Sequence, residues 1–194
     1  MIEVQPGDLA VVQDNTILGP MVRWGERAFM DDAGVFDHGF IITSTNGQII
    51  ESKLTFRYAQ LSQYIGCKIF IVRHKEMTPE RFAAGMAVIT PDLGKLYPAW
   101  RLPLYILGLE RFFNKGIGVC VEQEGRFMQG AGFQHIVYGI TPDDLAELWN
   151  ETILQGRMIV VCDGILEQKG FQNVELVIRK FNGSISKGFS GDFA

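Results

Sequence analysis

The chain has 194 residues, of which 47% are hydrophobic, 21% charged and 11% aromatic. This is the composition of an ordinary globular protein, not of a disordered tail or a fibrous repeat. Eighteen Lys and Arg stand against twenty-two Asp and Glu, a net charge of −4, and no block of like charge offers the electrostatic footprint of a nucleic-acid binder. At this length roughly 70% of the unfolded surface can be buried, so one core suffices without metal or disulfide staples.

After the Pro6-Gly7 turn, residues 8–13 read as a strand, and residues 19–31 read as a helix with Met21, Val22, Trp24, Ala28 and Phe29 on a broad apolar side. His38 to Thr43 and Gln48 to Ser52 are apolar, β-branched runs around Asn46-Gly47, which predicts a hairpin. Residues 67–73 form a further strand. Thr78-Pro79-Glu80 opens a helix, with Thr78 as cap and Pro79 at the first helical position, and Phe82, Met86 and Ile89 give it a buried side. The greasy stretch from Leu96 to Leu109 carries Pro98, Arg101 and Pro103 and falls short of the ~20 apolar residues a spanning helix needs. A helix begins at Cys120, another follows Thr141-Pro142-Asp143-Asp144, and residues 158–162 and 174–181 read as late strands. The sum is an α+β fold, mostly antiparallel. Residues 1–181 form a single domain and 182–194 a flexible Gly/Ser-rich tail.

Three cysteines, none in a C-x-x-C pair, do not make a secreted disulfide framework and fit a reducing compartment. The N-terminus lacks the basic start and apolar run of a secretory signal, so the expected location is cytoplasmic, or within a larger particle. Cys67 and Cys162 end apolar strand patterns and read as core. Cys120 differs: it follows Asn114-Lys115-Gly116-Ile117-Gly118 and opens a helix on which Val121, Glu124 and Met128 share helical spacing. A thiol there faces the positive end of the helix, which together with a nearby imidazolium lowers its pKa, and the Cys120 N–H is available to an oxyanion.

Such a thiol needs a base, and the chain offers His38, His74 and His135. His74 lies among like charges at a strand end and reads as solvated, while His135 reads as packed. His38 begins an apolar strand, and Gly39 beside it leaves room for close approach. Counting through the hairpin adds a third member. A two-residue Asn46-Gly47 turn would put Glu51 about 13 Å along the sheet from His38 and Thr55 opposite it. A four-residue loop, Ser44 to Gly47, with Gly47 left-handed, instead pairs Phe40 with Glu51, so that Glu51 becomes a diagonal neighbour of His38 at roughly 7 to 8 Å between Cα atoms. The longer loop is predicted.

The order Pro6-Gly7-Asp8-Leu9, then Asp37-His38-Gly39-Phe40-Ile41-Ile42, then Gln48-Ile49-Ile50-Glu51-Ser52, then Gly118-Val119-Cys120-Val121-Glu122 resembles the permuted papain-like cysteine amidases. These form the circularly permuted branch of the NlpC-type cell-wall peptidase superfamily, to which lecithin retinol acyltransferase is also related. There too the base precedes the nucleophile. The resemblance covers residues 6–150 and departs at Val121, where related chains usually carry Ser. It implies a papain-like sheet packed on a nucleophile helix, with catalytic Cys120, base His38, orienting Glu51 and an oxyanion-assisting tyrosine, Tyr97 or its competitor Tyr105. The implied substrate is an amide or ester in a peptide, a peptidoglycan fragment or a lipid. No Cys or His pair has zinc spacing and no Gly-rich loop ends in Lys-Ser or Lys-Thr, so neither metal nor nucleotide cofactor is expected. The rival reading keeps the fold without the reaction, as a binding or structural module docking through a Phe-rich surface or the tail.

Overall fold

The computed structural model describes residues 3–15, 35–96, 120–133, 142–169 and 175–180. Their strands form one seven-stranded sheet in the order β4-β3-β2-β1-β5-β6-β7. In chain order these are β1 (Leu9–Val12), β2 (His38–Ile42), β3 (Gln48–Ser52), β4 (Phe56–Gln60), β5 (Lys68–His74), β6 (Met158–Lys169) and β7 (Glu175–Lys180). Every pairing is antiparallel. At the centre, β1 is an unbroken apolar run buried along its whole length, the pattern expected of a strand covered on both faces.

Antiparallel partners share a face, so the register sorts the core into two layers. On one face Leu9, Val11, Ile41, Ile50, Phe56, Phe70 and Val72 pack against helices α1 (Pro79–Ile89), α2 (Cys120–Gly130) and α3 (Pro142–Leu154). On the other, Ala10, Val12, Phe40, Ile42, Ile49, Ile69 and Ile71 pack with Leu61 and Tyr64 of a 3-10 turn and with Cys67, Cys162 and Leu166. Of the described phenylalanines, 36, 40, 56, 70, 127 and 133 are buried, and Phe82 is half-buried against the same core.

The hairpin forms as the longer loop. Phe40 pairs with Glu51, Gly47 has φ 79°, and its N–H donates to Ser44 O at 3.2 Å. Thr78 caps α1 through Oγ1, which accepts from the Arg81 N–H at 3.3 Å. Strand β4 was not foreseen, because Lys53-Leu54-Thr55 turns the chain without Gly, Pro, Asn or Asp. Strand β6 continues past Cys162 through polar residues because β7 supplies it with a partner. Residues 19–31, 97–109 and 182–194 lie outside the described residues. Among the described residues no helix is long and apolar enough to cross a membrane.

Helix α2 packs on β2 and on α1, and its direction follows from its contacts. Glu124, near its start, lies against Gly39 at the beginning of β2. Phe133, just past its end, lies on His74 with ring centroids 3.8 Å apart. Since Leu9 pairs with Val72 and Val12 with His38, His74 and His38 mark opposite ends of the sheet. Helix α2 therefore starts toward the His38 end.

Candidate active site

His38 and Glu51 meet. The His38 Nε2 lies 3.1 Å from Glu51 Oε2, and because an ionised carboxylate only accepts, Nε2 carries the proton and the tautomer is fixed. The Tyr64 hydroxyl donates a hydrogen bond to the same oxygen. Arg57 closes the other side, donating to Oε1 from Nε at 3.0 Å and from Nη2 at 2.8 Å. Glu51 is only 1% exposed, and burial works against its charge. The His38 hydrogen bond and charge, the Tyr64 hydroxyl and the Arg57 guanidinium overcome that penalty and lower its pKa to about 2. A carboxylate so held stays ionised at neutral pH and keeps the imidazole in one orientation.

The layer matters as much as the distance. His38 shares its face with Phe40 and with its partner Val12, and its ring lies 6.0 Å from that of Tyr64. Gly39 and Ile41 take the opposite face, on which α2 packs. The His38 and Glu51 side chains thus point away from the α2 layer, while Cys120 opens α2 at the same end of the sheet. Tyr97, Tyr105 and the Cys120 side chain lie outside the described residues. Thr55 bridges to Leu96; the tight turn that would have set it opposite His38 does not form.

Other sequence expectations resolve individually. Cys67 and Cys162 are buried, and burial pushes the Cys162 thiol up, with the neighbouring Asp163 charge acting the same way. His74 is buried against Phe133, not solvated, and its Nδ1 accepts from the Glu76 N–H at 3.2 Å. His135 lies outside the described residues. Asp8, after the Pro6-Gly7 turn, is a structural pin: it accepts from Arg73 Nε at 2.7 Å and Nη2 at 2.8 Å, and that hydrogen bonding raises the Arg73 pKa.

Sequence reasoning missed Arg57, Tyr64, Ser52 and Glu124. The first two belong to β4 and the 3-10 turn, which carry no punctuation. Ser52 follows Glu51 and so faces the helices with its partner Phe56; its buried hydroxyl has no hydrogen-bond partner among the described residues. Glu124 fills the space beside Gly39; a glycine inside a strand signalled that approach without naming what arrives. Among the described residues no three of His, Cys, Asp and Glu gather where they could hold a metal ion.

No family model matches the chain, and no curated protein matches it. Its fold is similar to a crystal structure described as metalloprotein yiiX from Escherichia coli O157:H7, with a TM-score of 0.54 and 13% identity over 84% of this chain and 99% of that one. At that identity the likeness speaks for the α+β architecture alone.

Proposed function

We propose that the chain is a cysteine hydrolase or acyltransferase of circularly permuted papain-like fold, acting on an amide or ester through a thioester on Cys120. The observation that carries this reading is the Glu51-held imidazole of His38 at 3.1 Å, at the end of the sheet toward which the Cys120 helix starts. With Nε2 committed to Glu51, the proton of the thiol passes to Nδ1. The thiolate attacks the carbonyl carbon, the helix-start N–H steadies the oxyanion, and the imidazolium protonates the leaving group. Water or another acceptor then resolves the thioester. Because His38 lies on the face away from α2, ring and thiol must meet over the end of β2, and the reading stands or falls on that junction.

Alkylation by iodoacetamide, read at the peptide containing Cys120, tests it. The expected profile shows reactivity well below the ordinary thiol pKa of about 8.5. Cys120→Ala abolishes that label with the circular-dichroism spectrum kept, and His38→Gln lowers the rate at pH 7 by about 10²-fold.

A second reading, a catalytically silent module, is favoured by the burial of His38, 7% exposed among Phe40 and Tyr64. It requires an ordinary thiol profile at Cys120 that His38→Gln leaves unmoved.

A further inference from the structure

A glycine inside a strand costs stability unless the absence of a Cβ is needed. At Gly39 it is needed: a Cβ there would overlap Oε1 of Glu124, with Glu124 Cδ at 3.2 Å and Ala10 O at 3.6 Å. Glu124 is 1% exposed, so its carboxyl cannot swing into solvent to make room. It borders a void of only about 10 Å³, shared with Leu9, Met128, Trp149, Thr152 and Met158, which is space for a single water. A carboxyl at this seam pays a desolvation cost that an alanine or leucine would not, and it sits one helical turn after Cys120.

We propose that the Glu124 carboxyl seated in the Gly39 notch fixes the depth and roll of the start of α2 on the sheet, which makes Glu124 a positioning residue for Cys120. The geometry stands by itself; its consequence for chemistry rests on the hydrolase reading. A second tether on the far side of the helix complements the seat. Buried Asp92 accepts from Gln123 Nε2 at 3.3 Å and from the Arg126 guanidinium. Helix α2 is thus held on β2 by Glu124 and on the segment after α1 by Gln123 and Arg126, so it can neither roll nor sink without breaking one hold.

The test is a two-by-two cycle of Gly39→Ala and Glu124→Ala in the full chain, reading the thermal midpoint and the pH profile of Cys120 alkylation. Gly39→Ala is expected to lower the midpoint by about 5 °C or more and to move the alkylation profile up toward the ordinary thiol range. The double variant is expected to recover most of both, because the new methyl occupies space the carboxyl has left. Glu124→Gln, of the same shape, is expected to keep the midpoint within about 2 °C. Should Gly39→Ala fail to fold, recovery of folded protein in the double variant supports the seat equally. The seat is overturned if Gly39→Ala changes neither readout, or if the double variant is no better than Gly39→Ala. Recovery of the midpoint without the alkylation profile overturns the positioning role. An ordinary thiol profile in the unmodified protein overturns the hydrolase reading, and the seat is then judged on the thermal cycle alone.

Discussion

On the helix side of the sheet, Leu9, Val11, Ile41, Ile50, Phe70 and Val72 meet apolar helix residues such as Val121, Phe127, Met128 and Trp149. On the other side, at the His38 end, the same strands bury an imidazole, a carboxylate and a phenol beside Phe40. The apolar layer is held by dispersion, which is non-directional and spread over many contacts. The polar layer holds only while every member keeps its partner, since a buried charge that loses its partner is far more costly than one never introduced. One sheet therefore carries a face held mainly by close apolar packing and one held by paired polar groups, and the polar one is built around the candidate base.

The sharpest way to break this comparison is Glu51→Ala. It leaves His38, Tyr64 and Arg57 without their common acceptor and is expected to cost about 3–5 kcal/mol in urea unfolding at pH 7; a loss below about 1 kcal/mol would mean that the polar layer is held by something else.

Acid probes the same residue less severely. The Glu51 pKa is about 2 in the fold and 4.5 when unperturbed, so its stabilising contribution is complete above pH 4.5 and lost as the pH falls toward 2. The amount is on the order of 3 kcal/mol. Glu51→Gln should flatten the fall in stability across that window, and an equally steep fall in the variant would assign it to other carboxylates.

The apolar layer is tested by Gly85→Ala, where α1 and α2 cross so closely that a Cβ would lie 2.7 Å from Phe127 ring carbons and its carbonyl oxygen. Alanine is the better helix former by about 1 kcal/mol, yet overpacking should reverse the sign and cost about 1–3 kcal/mol. A stabilised variant would show that the two helices can separate without penalty.

These two layers were unequally legible in the sequence. The hairpin register could be counted because Gly47 and the four-residue loop are local chemistry, and with it came the nearness of Glu51 to His38. Alternation shows that His38 and Gly39 face opposite ways, but nothing local says which face receives the helices; that is decided by α1, α2 and α3, which lie far along the chain. Arg57 and Tyr64 were hidden for a similar reason, since the turn at Lys53-Leu54-Thr55 lacks the residues that announce one. The start of α2 was readable from Val121, Glu124 and Met128, whose common spacing matches their common burial.

The Arg57 side chain is 47% exposed while the carboxylate it grips is fully enclosed. Dissolved ions screen the outer partner and hardly touch the inner one. Through this one guanidinium on an edge strand, ionic strength in the surrounding fluid reaches an otherwise sealed acid and, one hydrogen bond further in, the imidazole of His38.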